Sequence, residues 1–457
     1  MKKTNKKVLE YNSKDVFKFI SISFVGIFLF LIPIPKGNTF TIFIGVCIDK
    51  LQAVLSNNSI DYLSRLLFLF ISVSFCCTIY GFFSNKKIIY NKTINDIFRP
   101  KGFYFFSRLA GIVLYYQIYF NVGPDFIIST TTGKEMLAVS KVLTTVVFVI
   151  AFAMPLLTDF GIMEFVGVLV QRFVRFIFTC PGRSAIDLMT SWLGASSAGA
   201  LLTVRQFELG YYSTREALTI TTNFSLVSIP FCFVISKIMK LEEYFTVWYV
   251  CICITCFILA IIIPRLWPLK SIPNNYNEGI GNQSTEIIPE GYHPVKWGLY
   301  LASKKASHST ISSVIKSGIY VYFSVFLDLI PLVIAWGTIM LAIIEYTPVF
   351  QIISIPFGFY MQFLGIDDAM RLSSSVLVGF GDMYIPPLLL ANEPVLSSRF
   401  ILGVVTTSQI IYLTEIGAII LKSPMKVNIF QLFIIFIERT IIALPISVLL
   451  FRLFFSN

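Results

Sequence analysis

Apolar runs of about 20 residues, recurring from one end of the chain to the other, constrain this sequence more than any other feature. A helix of that length rises about 30 Å, the thickness of a bilayer's hydrocarbon core, and lipid leaves a spanning backbone few alternatives to helix. Nine stretches are long enough: 17–35, 63–83, 104–121, 137–158, 216–239, 244–263, 317–344, 400–421 and 427–452. Composition agrees, since 56% of the 457 residues are hydrophobic, 13% are charged and 45 are Phe. The expectation is an all-α polytopic bundle in a lipid bilayer.

Charge sets the orientation. The basic start MKKTNKKVLEYNSK runs into the apolar segment Val16–Ile34 without a small-residue cleavage site, so it reads as a tail before a first span. A net charge of +11 would suggest nucleic acid in a soluble protein. Here it reports basic cytoplasmic loops, and no nucleic-acid partner is expected. The N-terminal tail and SNKKIIYNKTINDIFRPKG at 84–102 therefore belong in the cytoplasm, with the protein in a bacterial plasma (inner) membrane. Residues 264–316 form the longest polar segment and carry Arg265, Lys270, Lys296, Lys304, Lys305 and Lys316, which makes them a cytoplasmic linker. FTIFIGVCIDKLQAVL, with Asp49 and Lys50 in an amphipathic pattern, is placed at the outer interface, although residues 40–55 could also span.

Nothing points to an enzyme. Eight cysteines fall mainly in apolar segments, no CxxC pair exists, and Cys251, Cys253 and Cys256 do not share a helical face, so neither a zinc nor a redox site is expected. His293 and His308 lie in the polar linker, far from any nucleophile pattern. No cofactor is implied.

SWLGASSAGALLT, Ser191 to Thr203, interrupts this greasy chain with a nearly side-chain-free centre. If residues 184–203 crossed the membrane, later spans would reverse parity and the basic linker would land outside. A re-entrant hairpin keeps it inside, and arms of about nine residues reach only about 14 Å, near the midplane. Small residues then serve either the turn or a packing seam. CPGRSAID opens the hairpin with a capping-box pattern, Ser184-x-x-Asp187, and Ser213-x-x-Glu216 opens the following helix. The cations Arg172, Arg175 and Arg183 just before it suit an interfacial helix facing headgroups.

Laid over itself so that Gly194 meets Gly379, the sequence shows a second copy in weak register. In the same alignment Ser213 meets Ser398, and Thr221-Thr222 meets Thr406-Thr407. Each half has a span (137–158; 317–344), an interfacial segment (164–180; 347–363), an interrupted hairpin (184–203; 368–390) and a further span (216–239; 400–421). Loop parity makes the copies inverted. Inverted repeats with corresponding broken segments point to a secondary transporter's midplane site. In the second hairpin, SSSVLVGFGDMYIPPLLL, Gly379, Gly381, Pro386 and Pro387 prevent a continuous helix, Asp382 sits at the tip, and Asp367-Asp368 could cap its first arm. The chain thus divides into peripheral spans (1–135), a first repeat (136–240), a span with linker (241–316), a second repeat (317–421) and a last span (422–457).

Hydroxyls and amides concentrate after each hairpin. TITTNFSLVSIPF supplies Thr221, Thr222, Asn223, Ser225 and Ser228 before Pro230. TTSQIIYLTEIG supplies Thr406, Thr407, Ser408, Gln409, Thr414 and Glu415. Unwound backbone and hydroxyls of this kind coordinate Na⁺ or hold a polar solute, while the plainer reading is hydrogen bonding along membrane helices. Glu415 is the sharpest choice, because an ionisable group deep in a span usually faces a cavity or a partner. Glu438 and Arg439, neighbours in the last span, are read as satisfying partners across the bundle.

The run PLLTDFGIMEFVGVLVQRFVRFIFTCPGRSAIDLMTSWLGASSAGALLT, continuing to ELGYYSTREALTITTNFSLVSIPF, resembles the YjiH family of Gate-domain, or nucleoside-recognition, membrane proteins. The resemblance is most specific over about residues 150–240. It implies two re-entrant hairpins and two partly unwound helices around substrate and coupling ion. By position it implicates Gly194, Ser196, Ser197, Asn223, Gly379, Gly381, Asp382, Ser408 and Glu415 in substrate binding, and Thr222, Ser225 and Thr407 in ion binding. Nucleoside transporters of this kind grip ribose and base with acidic and amide side chains on both hairpins, whereas the first tip here has only Gly, Ala and Ser. Gate-type transporters often form homo-oligomers, and no face of this sequence declares one. The function expected is Na⁺- or H⁺-coupled transport of a small polar metabolite, nucleoside-like or another organic solute. The alternative is a non-transporting Gate-domain sensor or partner-binding scaffold docked through 264–316.

Overall fold

The computed structural model describes residues 12–30, 32–36, 39–56, 62–83, 103–178, 180–194, 196–277, 288 and 292–455. The basic tail, the loop at 84–102 and most of the linker's polar centre lie outside the described residues.

The chain is a multi-pass helical membrane protein. Among the described residues, six helical segments are long and apolar enough to cross a membrane: Tyr62–Phe82, Asp125–Leu156, Glu242–Arg265, Ile311–Tyr346, Leu396–Leu421 and Ile429–Phe455. The other three stretches read as spans are helical too, with a difference in kind. Residues 17–35 correspond to Ser13–Phe30, whose first turns carry Lys14, Asp15 and Lys18, and 104–121 correspond to Phe103–Phe120. Residues 216–239 are two helices, Thr214–Asn223 and Ile229–Ile238, separated by an unwound stretch.

The all-α bundle carries one small local addition, Pro33–Lys36 paired antiparallel with Thr39–Ile42. Pro33 and Pro35, at the end of the expected first span, have no N–H to continue a helix. The polar linker contains a helix of its own. Pro294–His308 is a helix capped by the His293 imidazole, which accepts from the Val295 amide (3.3 Å), and it packs on Ile162–Phe178 and Ser13–Phe30.

Ile162–Phe178 buries Ile162, Gly167, Val168, Gln171, Val174 and Phe178, the last four at three- and four-residue intervals, and leaves Arg172 and Arg175 exposed. That single-sided pattern is what an interfacial helix needs. Arg183 departs from it by stacking on the Tyr211 ring at 3.8 Å.

The first helical hairpin follows. Ser184–Met189 runs through a π-turn at Thr190–Gly194, and Ser196–Glu208 returns. The arms rise about 16 and 20 Å, too short to cross about 30 Å of hydrocarbon. The expected Ser184–Asp187 capping box does not form. Ser184 Oγ donates to the Pro181 carbonyl (2.8 Å), while Asp187 turns inward and accepts from Thr203 Oγ1 (3.0 Å) and Gln206 Nε2 (3.1 Å) on the opposite arm. A buried carboxylate needs donors more than a helix end needs a cap. The second box is present: Ser213 and Glu216 bond reciprocally. Residues 213–215 are in turn strapped to the start of the linker, with the Thr214 amide on the Asn275 carbonyl (2.8 Å) and Arg215 on the carbonyls of Lys270 (2.7 Å) and Ile272 (2.8 Å).

The second hairpin consists of Ala369–Val378, a turn, and Ile385–Leu390. Asp368 precedes its first arm in a left-handed conformation (φ 52°) but does not cap it, because its carboxylate pairs with Arg371 (3.0 Å). Arg371 also pairs with the buried Glu393 beyond the second arm, closing the hairpin's base. Next to that base, Asn392 accepts from Lys240 (3.3 Å), at the far end of the broken helix whose near end is strapped to the linker.

The two hairpins pack reciprocally. The second arm of the first contacts the far half of the second broken helix, Leu413–Lys422, and the second arm of the second contacts the far half of the first, Ile229–Ile238. Ile429–Phe455 runs alongside Leu396–Ser408 and Phe245–Ile262.

Candidate functional site

Both helices that follow the hairpins stop in mid-course. Thr214–Asn223 ends at Asn223 and Leu396–Ser408 at Ser408, and these two ends coincide in the register that superposes Gly194 on Gly379. In the first, Thr221 and Thr222 return their hydroxyls to the carbonyls of Ala217 (2.9 Å) and Leu218 (2.6 Å), and Ser228 and Pro230 open the next helix. Pro230 therefore starts a helix where its missing N–H does no harm. In the second, residues 409–412 are unwound, and the β-branched Ile410 is held at φ 65°, a left-handed conformation such residues rarely adopt. The stretch resumes as a π-turn, Leu413–Gly417.

A helix end leaves carbonyls without partners, and buried ones must find donors. The Tyr412 hydroxyl donates to the carbonyls of Thr406 and Thr407 (3.0 Å each). The rest falls to Arg439, which is fully buried. Its Nε and Nη2 donate to the Ser408 carbonyl (3.2 and 2.7 Å), and its Nη1 to the Thr222 carbonyl (3.1 Å) and Asn223 Oδ1 (2.8 Å). The sequence marked Arg439 as satisfying partners across the bundle, and it does so at both broken ends at once. Its neighbour Glu438 differs, since its Oε2 atom is buried with no hydrogen-bond partner among the described residues.

A second cluster lies at the hairpin tips. Ser196, the first residue of the first hairpin's return arm, donates from Oγ to Glu415 Oε1 (2.7 Å), and Ser197 lies beside the same carboxylate. Glu415 is half-buried, and its Oε2 atom has no hydrogen-bond partner of ordinary geometry among the described residues. At the second tip, Asp382 accepts from Thr414 Oγ1 (2.8 Å) and from the Tyr384 amide (2.8 Å). The Leu413 and Thr414 amides donate to the Phe380 (2.9 Å) and Gly381 (3.2 Å) carbonyls, so the unwound helix is stitched to this tip by main chain. Tyr384, buried with a hydroxyl that has no hydrogen-bond partner among the described residues, is within electrostatic reach of both carboxylates.

The residues singled out from the sequence thus fall into two groups. Ser196, Ser197, Gly381, Asp382 and Glu415 meet at the tips, and Thr222, Asn223 and Ser408 meet at Arg439. Thr407 is buried with an unpartnered hydroxyl. Gly379 belongs to neither group as a ligand. A Cβ there would sit 2.2 Å from Gln409 Oε1, so its role is to admit the Gln409 amide, which donates to the Val376 carbonyl (2.9 Å) and Thr440 Oγ1 (2.9 Å). A Cβ at Gly194 would make only ordinary contacts with Met163 and Thr158, and Ser225 is buried. Tyr384 and Asp187 were missed as interior polar groups. Tyr384 sits between apolar residues and prolines, and Asp187 was explained away by a cap.

A family model described as Gate, nucleoside recognition, matches residues 140–242. A protein of Alkalihalophilus pseudofirmus, described as uncharacterized, is 36% identical over 441 residues, covering 96% of this chain and 94% of its own. The chain belongs to the Gate-domain family. No solved structure matches it. The Gate match begins within Gly133–Thr158, takes in the interfacial helix and first hairpin, and ends just after the first broken helix. Ser196, Ser197, Thr222, Asn223 and Ser225 lie inside it; Asp382, Ser408, Glu415 and Arg439 lie beyond it.

Proposed function

We propose that this Gate-domain protein is a secondary transporter that binds a small polar solute between its two hairpin tips. The observation that supports this most is the Ser196–Glu415 hydrogen bond, in which the tip of one half meets a carboxylate on the broken helix of the other. Two carboxylates, Glu415 and Asp382, with Ser197, Thr414 and Tyr384 around them, form a surface rich in acceptors and hydroxyls. Such a surface suits a solute that donates hydrogen bonds, through hydroxyls as in a nucleoside or through an amine. Among the described residues, Glu415 Oε2 has no hydrogen-bond partner of ordinary geometry, and a solute donor or a proton would satisfy it.

In this reading residues 136–240 and 317–421 are inverted repeats, and their hairpins enter the bilayer from opposite sides. Three observations favour it. The broken helices end at equivalent positions of the two halves, each hairpin packs against the far half of the other repeat's broken helix, and the hairpin bases neighbour opposite ends of the first broken helix. The N-terminus and the linker are cytoplasmic. One repeat moves against the other around the site, giving alternating access, and Glu415 couples that movement to protons.

The test is uptake of a panel of nucleosides, amines and polyols into proteoliposomes under imposed pH or Na⁺ gradients. Gradient-dependent uptake of at least one solute, lost in Glu415→Gln, is expected. Absence of gradient-dependent flux for every solute would overturn the proposal.

A further inference from the structure

Arg439 places a buried cation in the middle of a bundle. Its four hydrogen bonds all end on neutral oxygens, at the C-terminal ends of Thr214–Asn223 and Leu396–Ser408. A helix C-terminus carries roughly half an elementary negative charge, so two of them converging supply about one, enough to balance one guanidinium. Unwound carbonyls at half-helix ends are also the donor set that a membrane protein offers to a free monovalent cation. The oxygens that would hold such a cation here, the Thr222 and Ser408 carbonyls and the Asn223 amide, are all taken by the guanidinium fork.

We infer that Arg439 is a tethered cation, a side chain of the last helix filling the site between the two half-helix ends that a free Na⁺ or similar ion would otherwise occupy. It follows that neither Thr222 nor Ser408 coordinates an exchangeable ion. The two broken helices are held together by a charge that cannot leave. The inference stands on the hydrogen-bond geometry and is independent of the transport proposal, because it is tested without flux.

The test is thermal unfolding of the purified full-length protein in NaCl, KCl, LiCl or N-methylglucamine chloride at equal ionic strength. The wild type is expected to melt at the same temperature in all four. Arg439→Gln, which keeps hydrogen-bond donors but loses the charge, is expected to melt lower in N-methylglucamine, with Tm restored in a saturable way by Na⁺ or by millimolar guanidinium chloride. Arg439→Lys keeps the charge and should remain indifferent to the cation. A saturable, Na⁺-specific rise in Tm of the wild type that is lost in Arg439→Lys would overturn the inference, as would identical, cation-insensitive melting of the Gln and Lys variants. Should Arg439→Gln fail to fold in N-methylglucamine, its recovery when extracted in guanidinium or Na⁺ supports the inference, and failure in every cation contradicts it.

Discussion

Gly199 and Gly194 belong to the same small-residue stretch and have opposite demands. A Cβ at Gly199 would sit 1.8 Å from Ser191 Oγ and 3.0 Å from the Asp187 carbonyl, because the hairpin's arms touch there. At Gly194 the nearest atoms are 3.9 Å away. Gly199→Ala is therefore expected to destabilise the protein by about 1–3 kcal/mol, the usual range for overpacking, and Gly194→Ala to leave Tm unchanged. A melting curve for each decides it. The stretch packs arm against arm at Gly199 and places Ser196 at the start of the return arm. Ser196→Ala removes a hydrogen bond to a carboxylate, worth about 1.5–3 kcal/mol where the carboxylate is ionised, and leaves Glu415 with no hydroxyl from that residue. We expect reduced solute uptake at unchanged expression. Glu415 was legible from the sequence because a charge inside a span demands a reason. The work of Arg439 was not, because its main partners are backbone carbonyls, which every sequence possesses, and only the breaks in two helices make those carbonyls available.

At the scale of elements, each hairpin is held by a different polar lock. The first uses Asp187 against Thr203 and Gln206 across its arms, and the second uses Arg371 against Asp368 and Glu393 at its base. Asp187→Ala takes the acceptor from the buried Gln206 amide and leaves Thr203 only the Gly199 carbonyl (3.0 Å), a loss of about 1–3 kcal/mol for the amide left without its partner. Hydrogen exchange should then rise over 184–208 and stay at the wild-type level over 369–390; a rise in both would mean the hairpins do not open separately. Ser213→Ala should lose about 1 kcal/mol by breaking the capping box, read as a lower Tm. Periodicity and length were enough to bound two helices, since Ile162–Phe178 and Val349–Phe363 nearly coincide with the expected 164–180 and 347–363. Capping patterns were a weaker guide. Of three read from the sequence, Ser213–Glu216 formed, while Asp187 and Asp368 were drawn to tertiary partners that no local window contains.

At the scale of the molecule, the hydrophobic runs and the basic segments together imply a multi-pass protein with its large linker on one side. The structure adds that the linker is not a passive connection. Residues 270–275 bind the turn after the first hairpin, and the linker's helix Pro294–His308 packs against Ile162–Phe178. Sequence reading missed this because the segment is polar on balance, and the apolar face of a short helix is diluted by the Lys residues on its other side. The reciprocal packing of hairpins and broken helices also needed coordinates. The weak register between the two halves suggests it, but contact between them depends on the fold.

The claim on which the rest depends is that the two hairpins enter the membrane from opposite faces and meet at their tips. The direct measurement is labelling of single cysteines, placed at Tyr211 and at Pro394 in a background with the eight native cysteines replaced, by a membrane-impermeant maleimide on intact and permeabilised cells. Position 394 should label in intact cells, and position 211 only after permeabilisation. Labelling of both positions from the same face would contradict the account.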